Sequence, residues 1–167
     1  AFALAFAPAA WADTISAMGR GDLDVGGGGW TVPIPNAVQR AIPIKVVADK
    51  GSTPPGFSFL QVTVRKDLYD GGQIKEPAQL KGKKIGVTSV ASMAVMLEPL
   101  LNQAKLTVKD VEMVPLTWAD MLAGYSNKSI DAAIISEPTL TKAVEDGLAV
   151  RFKPLSDFHP SPQWGLL

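Results

Sequence analysis

Two neighbouring hydroxyl side chains follow a short apolar segment near the middle of the chain. Lys84–Val87 has the composition of a strand, Thr88 and Ser89 come directly after it, and Ser92 lies in the helix-forming stretch that follows. A hydroxyl at this point can cap the helix, which is its ordinary structural role. The same geometry presents backbone N–H groups and the positive end of the helix dipole to an anion. We therefore expect these residues to contact a carboxylate, a sulfonate or a similar oxyanion.

A run of four glycines at residues 26–29 follows another strand-like segment, at residues 23–25. Glycines after a parallel strand let the backbone approach a ligand and present free N–H groups. The run lacks the acidic residue and helix register of a dinucleotide-binding fingerprint, and no Gly-Lys-Ser/Thr follows it as in a P-loop. A tight turn is the structural alternative, and the next aromatic residue could either stack on a ligand or fill a surface. The candidate ligand contacts here are Gly28, Gly29, Trp30 and Thr31.

Two more candidates follow predicted strands in the second half of the chain. Glu137 comes after the apolar segment 130–136 and precedes Pro138, so it could face a ligand or favour the first turn of the next helix. Trp118 follows the alternating segment 111–116, where it could contact a ligand or pack against the fold. We keep both as predicted ligand contacts.

The composition excludes several kinds of chemistry. There are no cysteines, which excludes a disulfide framework, a thiol nucleophile and cysteine-based zinc or iron–sulfur sites. A single histidine, His159, argues against a histidine metal site or a histidine-dependent triad. Sixteen basic and sixteen acidic residues cancel, so no net field favours nucleic acid or an anionic membrane. We expect no catalytic residue, no metal and no cofactor.

The chain repeats itself at a distance of 107 residues. Trp11-Ala12-Asp13 recurs as Trp118-Ala119-Asp120, Asp24 recurs as Asp131, and residues 55–60 align with residues 162–167. Such matched tryptophans and aspartates favour shared structural roles over catalysis. A repeat of roughly fifty residues is too long for a solenoid unit and suits half of a two-lobed domain. Two similar lobes imply a cleft that binds a small molecule.

Each copy alternates strands with short helices, which indicates α/β architecture with mainly parallel sheets. In the first copy, strands are predicted at residues 23–26 and 44–47. We predict an incomplete first lobe at residues 1–60, a second lobe with its crossover segment at 61–160, and a return strand at 161–167. The apolar residues 1–12 read as folded structure, because they align with the second copy. The second copy is preceded by a strand and a helix at residues 84–105. The first copy has no such unit before Ala1, and no closing element follows the second copy, so we expect a chain truncated at both ends.

Five phrases of the sequence together resemble a known family. They are GDLDVGGGG at 21–29, IPIKVVA at 42–48, DL at 67–68, LKGKKIGV at 80–87 and IDAAIISEP at 130–138. These phrases resemble type II periplasmic binding proteins, and in particular the branch that serves ABC importers for nitrate, taurine, aliphatic sulfonates and the pyrimidine precursor of thiamine.

The resemblance implies a bilobal Venus flytrap that closes on a small polar or anionic solute and delivers it to a membrane permease without catalysing a reaction. It also implies a monomer in the bacterial cell envelope, periplasmic or lipid-anchored, with no nucleic acid partner and no membrane insertion. The ligand contacts of the family fall at residues 28–31 and 88–92, with Glu137 as a further candidate.

Two alternatives stay open. One is an enzyme on the same scaffold, as in relatives of pyrimidine synthesis, menaquinone synthesis and desulfination. Those chemistries depend on a cysteine, histidine or lysine in the cleft, and the lack of cysteine argues against them. The other alternative is an effector-sensing domain fused to a regulator. A secretion or lipoprotein signal in the flanking sequence would favour transport, and a helix-turn-helix would favour sensing.

Overall fold

A computed structural model of the 167-residue chain describes residues 4–5, 11–29, 33–52, 58, 60–158 and 163–166. The chain divides into two compact units: unit 1 comprises Ala1–Thr53 and Ser161–Leu167, and unit 2 comprises Pro54–Pro160.

The described residues form nine strands, six α-helices and three 3₁₀ helices at Pro77–Leu80, Val108–Asp110 and Leu155–Asp157. In chain order the strands and α-helices are β1 (Leu4–Ala5), α1 (Trp11–Gly19), β2 (Val25–Gly29), α2 (Pro33–Gln39), β3 (Ala48–Ser52), β4 (Leu60–Arg65), α3 (Lys66–Asp70), β5 (Lys84–Val87), α4 (Val90–Gln103), β6 (Glu112–Pro115), α5 (Trp118–Ser126), β7 (Ala132–Ser136), α6 (Thr139–Glu145), β8 (Ala149–Pro154) and β9 (Gln163–Leu166).

Unit 2 is built on a five-stranded sheet with the order β6-β5-β7-β4-β8. Strands β6, β5 and β7 are parallel neighbours, and β4 is antiparallel to both β7 and β8. Four of the five strands therefore run in one direction, which confirms the predicted α/β fold with mainly parallel sheets.

Strand β7 shows why the sheet of unit 2 is covered on both faces. Its residues Ala132 to Ile135 are all buried, and a continuous apolar run is typical of a parallel strand between two helical layers. Ala132 and Ile134 pack into one cluster with the α4 residues Leu97, Leu100 and Leu101. Ala133 and Ile135 pack into a second cluster with Met121, Tyr125, Leu140 and Ala143 from α5 and α6. Because successive side chains of a strand point to opposite faces of the sheet, alternate residues of β7 pack against different helical layers.

Two glycines allow α5 to pack closely on this sheet. A Cβ on Gly124 would lie 3.0 Å from Cγ1 of Ile130, and a Cβ on Gly86 of β5 would lie 3.1 Å from Cδ1 of the same residue. A larger residue at either position would require the Ile130 side chain to shift by a few tenths of an ångström.

The sheet of unit 2 also encloses two polar networks. On the α5 side, the hydroxyls of Thr63 and Tyr125 lie 2.7 Å apart, and Thr63 donates to the carbonyl of Ala133 at 3.1 Å. At the end of β4, Nη1 of Arg65 donates to the carbonyl of Ile130 at 2.8 Å.

The carboxylate of Asp131 joins the second network and ties two strands together. It lies 3.4 Å from Nη1 of Arg65 and accepts the backbone N–H of Lys84 at 3.0 Å. Asp131 therefore has a structural role at the start of a strand, as its place in the repeat predicted.

Unit 1 has a smaller sheet, ordered β1-β2-β9-β3, in which β9 is antiparallel to β2 and β3. Its buried apolar cluster consists of Ile15, Ile34 and Ala37, with Met18, Ile42 and Ile44 partly buried around them. This cluster joins α1 and α2 to the loop that precedes β3.

Three sequence predictions for unit 1 were wrong in register or extent. The glycine run is part of β2 rather than a loop after it, and the predicted strand at 44–47 starts only at Ala48. Gly29 and Ser136, which are 107 positions apart, are equivalent residues as predicted. Gly29 pairs with Trp164 and Ser136 pairs with Leu60. Leu60 therefore corresponds to Trp164, whereas the predicted alignment matched it with Leu167. Long-range ladder pairing sets this register, and similar local composition does not reveal it.

Candidate functional site

The parallel strands of unit 2 bring several candidate residues to one edge of the sheet. Strand β5 ends at Val87, and its parallel neighbours β6 and β7 end at Pro115 and Ser136. Thr88 and Ser89 follow β5, Trp118 comes shortly after β6, and Glu137 follows β7. The carboxyl-terminal edge of a parallel sheet is where α/β proteins place their ligand sites.

The start of α4 has the features expected of an anion site. Ser89 occupies the cap position with an extended backbone, but its side chain accepts no capping hydrogen bond. Its carbonyl accepts the N–H of Met93 at 3.0 Å. Thr88 and Ser89 are exposed and Ser92 is half-buried. The capping alternative is therefore not realised by Ser89, and among the described residues no side chain caps the first-turn N–H groups of this 14-residue helix.

The serine hydroxyls of this turn face one another. Oγ of Ser89 lies 3.4 Å from Oγ of Ser92, which is a long hydrogen bond. Either hydroxyl can rotate to donate to a ligand oxygen at little cost. The local chemistry is thus neutral donors and a helix dipole, which suits a singly charged oxyanion.

Glu137 is held by contacts within unit 2. Its Oε2 accepts the N–H and the hydroxyl of Thr141 at 3.0 and 2.7 Å, and its Oε1 accepts Nη1 of Arg151 at 3.0 Å. Partial burial raises the pKa of the Glu137 carboxyl, but the hydrogen bonds from Thr141 and Arg151 outweigh it and leave the pKa below its ordinary value. The peptide bond between Glu137 and Pro138 is cis. These contacts give Glu137 a structural role at the start of α6, and its ligand contact stays a prediction.

Trp118 is the first residue of α5 and packs against both buried clusters of unit 2. The preceding Thr117 caps the helix, because its hydroxyl accepts the N–H of Asp120 at 3.2 Å. Trp11 likewise is the first residue of α1 in unit 1. The matching positions support the packing alternative for Trp118, which is only half-buried and keeps part of its surface accessible.

The candidates in unit 1 fall at the end of β2. Gly28 pairs with Gly165 and Gly29 with Trp164 in the ladder between β2 and β9. Trp30 and Thr31 lie outside the described residues. The structure therefore places the first two of these four candidates in a sheet and leaves the other two as predictions.

Three polar residues at the edge of unit 2 were missed by the sequence analysis. One is Arg151, whose pairing with Glu137 spans 14 positions. The others are Ser58 and Ser156, which connect the segments before β4 and after β8, because Oγ of Ser58 accepts the N–H of Ser156 at 3.3 Å. The Ser156 hydroxyl is buried without a hydrogen-bond partner among the described residues. Nothing in their local sequence signals these contacts.

The described ranges lack two further kinds of feature. These residues contain no group of three or more histidine, cysteine, aspartate or glutamate side chains that could hold a metal ion. The helices of the described part of the chain include none long and apolar enough to cross a membrane.

Comparison with known proteins identifies relatives among binding proteins. A Brucella abortus (strain 2308) protein named only as a binding protein is 29% identical over 152 residues, which are 87% of this chain and 42% of the relative. The taurine-binding periplasmic protein of Escherichia coli K12 is 26% identical over 156 residues, or 92% of this chain and 43% of the relative. This chain thus spans less than half the length of these two curated relatives.

The fold has a close counterpart among solved structures. The periplasmic aliphatic sulphonate binding protein of Escherichia coli superposes with a TM-score of 0.75 at 24% identity, covering 93% of this chain and 50% of that one. At this identity the likeness establishes the fold. The family described as NMT1/THI5 like matches residues 6–163, nearly the whole chain. The chain therefore belongs to the NMT1/THI5-like family and has the α/β fold of type II periplasmic binding proteins.

Proposed function

We propose that this chain binds a small anionic organic solute for an ABC importer, and that the solute is a sulfonate. The observation that carries the proposal is the start of α4, where Ser89 leaves the first-turn N–H groups uncapped at the carboxyl end of β5. The names of the taurine-binding and aliphatic sulphonate binding relatives support the choice of solute.

A sulfonate fits the chemistry of this helix start. It carries one negative charge on three acceptor oxygens, whereas the first turn of a helix offers several N–H donors and about half a positive charge. Hydroxyls of Thr88, Ser89 and Ser92 would add donors without adding charge. Each hydrogen bond to an ionised group contributes roughly 1.5–3 kcal/mol, so two or three suffice for useful affinity. Contacts from Gly28, Gly29, Trp30, Thr31, Trp118 and Glu137 remain part of the proposal.

The proposed role is binding and not catalysis. Both curated relatives described above are named as binding proteins. Glu137, the acidic residue that follows β7 at this edge of the sheet, has its oxygens engaged by Thr141 and Arg151, and its lowered pKa makes it a poor proton acceptor. The solute would pass unchanged to a membrane permease. A monomer in the bacterial cell envelope, periplasmic or lipid-anchored, completes the proposal.

Native mass spectrometry of the purified chain, followed by denaturing release, is the direct test. We expect a stoichiometric small-molecule adduct that is lost on denaturation. Calorimetric titration with taurine, longer alkanesulfonates and nitrate would then rank the solutes, and sulfonates should bind tightest.

A serine pair provides the matched control. Ser89→Ala should weaken sulfonate binding roughly tenfold, the equivalent of one hydrogen bond to an ion. Ser126→Ala removes an exposed hydroxyl of α5 that bonds only to the carbonyl of Leu122, at 3.1 Å, and should leave binding unchanged. A bound compound that is chemically altered during incubation would overturn the proposal in favour of an enzyme. Folded protein with no adduct and no response to any of these anions would also overturn it.

A further inference from the structure

Two serines connect the segments by which the chain enters and leaves unit 2. The chain passes from unit 1 into unit 2 between residues 53 and 54, and it returns between residues 160 and 161. Ser58 follows the first crossing and Ser156 precedes the second. The backbone N–H of Ser156 donates to Oγ of Ser58 at 3.3 Å. A side-chain contact therefore links two segments that are 98 positions apart in the sequence.

Ser58 is held firmly at the start of β4. Its hydroxyl donates to the carbonyl of Leu60 at 2.6 Å while it accepts the N–H of Ser156, and its own carbonyl accepts Nε2 of Gln61 at 3.2 Å. Leu60 is buried and pairs with Ser136 in the ladder between β4 and β7. The Ser58 side of the contact is thus fixed to the sheet.

The side chain of Ser156 has the opposite character. Ser156 is only 2% exposed, and its Oγ has no hydrogen-bond partner among the described residues. It lies in the 3₁₀ helix Leu155–Asp157, and Leu155 is anchored in the apolar cluster that contains the buried residues of α4. A buried hydroxyl without a partner loses the hydrogen bonds that it makes in water and gains none in return. Such a group is uncommon in folded proteins and calls for a specific explanation.

Ser156 lies at the edge of the sheet that carries the candidate solute contacts. Strands β7 and β8 run in the same direction, because β4 is antiparallel to both. They end at Ser136 and Pro154, and Ser156 follows β8. Met93, in the first turn of α4, belongs to the same apolar cluster as Leu155. Packed side chains therefore connect the start of α4 with the turn that contains Ser156.

We propose that Ser156 is a positioning residue for solute binding: the contact with Ser58 belongs to one of two arrangements of the connecting segments, and in the other the Ser156 hydroxyl gains a hydrogen-bond acceptor. The solute favours the second arrangement, because drawing the first turn of α4 onto its oxygens shifts the packing of Met93 against Leu155. This inference rests on the proposed solute-binding function. A hydrogen bond present in only one arrangement biases their ratio by about tenfold, and solute affinity changes by the same factor.

Ser156→Ala separates this role from a purely structural one. Alanine removes a hydroxyl that has no partner in the arrangement described above, so the melting temperature of the chain alone should be equal or higher. Calorimetric titration with taurine and with butanesulfonate should show affinity about tenfold weaker than for the unchanged chain. Ser129→Ala removes an exposed hydroxyl just before β7, at the opposite edge of the sheet, and should change neither quantity.

Ser58→Ala is expected to act in the opposite sense. It leaves the carbonyl of Leu60 and the N–H of Ser156 without their partner, so the melting temperature should fall. Because this substitution destabilises only the arrangement that contains the Ser58 contact, sulfonate should bind at least as tightly as to the unchanged chain. Weaker binding by folded Ser58→Ala protein would contradict the proposal.

Hydrogen exchange and the two affinities together decide the outcome. In the unchanged chain, added butanesulfonate should alter the protection of the Ser156 amide, and this change should be smaller in Ser156→Ala. If taurine and butanesulfonate fail to bind the unchanged chain, the proposed function falls and this inference falls with it. If they bind the unchanged chain and Ser156→Ala equally well, only this inference is refuted. A melting temperature that falls as far for Ser156→Ala as for Ser58→Ala would show that the hydroxyl is paired within the fold, and it would also refute the inference.

Discussion

Both units place an antiparallel strand between two others, β4 between β7 and β8 in unit 2 and β9 between β2 and β3 in unit 1. The described cores of the two units differ. Two clusters cover both faces of the larger sheet, and a cluster of Ile15, Ile34 and Ala37 supports the smaller one. The described core of unit 2 is therefore larger than that of unit 1, and we expect unit 2 to carry most of the stability of the chain.

The largest expected effect comes from the core of unit 2. Leu101→Ala removes a fully buried side chain of α4 and leaves a cavity beneath the sheet, which should cost about 3–4 kcal/mol of unfolding free energy. Ile15→Ala, in the smaller described cluster of unit 1, should cost about 2 kcal/mol, the lower end of the range for such a truncation. Urea denaturation, monitored by hydrogen exchange in each unit, would measure the loss of unfolding free energy in both variants. Equal losses would contradict the proposed inequality of the units.

Arg65→Met tests the network that closes the end of β4. Methionine retains the apolar stem, but the Asp131 carboxylate and the Ile130 carbonyl lose a largely buried partner, which should cost roughly 3 kcal/mol. Arg20→Met in unit 1 breaks an ion pair whose Arg20 and Asp22 side chains are 65% and 58% exposed, and it should change stability by less than about 0.5 kcal/mol. Denaturant midpoints of the two variants provide the comparison. A cost for Arg65→Met as small as that for Arg20→Met would show that the network is not stabilising.

Tyr125→Phe addresses a position where the two copies differ in chemistry. Tyr125 corresponds to Met18 by the offset of 107, and only the tyrosine brings a hydroxyl to the sheet. Removal of that hydroxyl leaves Thr63 without one partner and should cost about 1–2 kcal/mol. Thermal unfolding would show the loss. Met18→Leu, which preserves apolar volume, should cost less than about 1 kcal/mol and serves as the control.

The same residue predicts a pH dependence at the alkaline side. Burial raises the pKa of the Tyr125 phenol in the folded chain. The stabilisation is therefore complete below the pKa of the unfolded tyrosine, about 10, and is lost as pH rises above it. Tyr125→Phe should abolish that part of the alkaline decline in urea midpoint. An unchanged alkaline decline would rule out Tyr125 as its source.

The sequence predicted best where a pattern depends on neighbours along the chain. The apolar run before Ser136 forms β7, and the stretch after Ser89 forms α4. Both follow from the period of the apolar side chains.

The failures concern pairings between distant segments. No local feature shows that Leu60 corresponds to Trp164, because the ladders of β4 and β9 fix that relation. The candidate site shows the same limit. Sequence located the hydroxyls at the start of α4, but it could not show that Ser89 leaves the helix uncapped, or that Arg151 engages Glu137 across 14 positions.

The smallest effect on stability is expected at the Glu137 carboxylate. The pKa of Glu137 is lowered in the folded chain, where hydrogen bonds from Thr141 and Arg151 outweigh the opposing effect of burial. A lowered folded pKa means that the stabilisation is present above the unfolded pKa of about 4.3 and is lost as pH falls below it.

Glu137→Gln should therefore flatten the acid side of the stability curve while changing stability at pH 7 by less than about 1 kcal/mol, because the pair with Arg151 is about one-third exposed. Glu98→Gln, at an exposed glutamate of unit 2, is the control and should leave the slope in place. Urea midpoints of the two variants and the unchanged protein between pH 3 and 7 would measure this acid slope. If Glu137→Gln retains the full acid slope but weakens sulfonate binding, Glu137 acts at the ligand. If it loses the slope and binds normally, Glu137 is structural and the helix start alone supplies the anion contacts of unit 2.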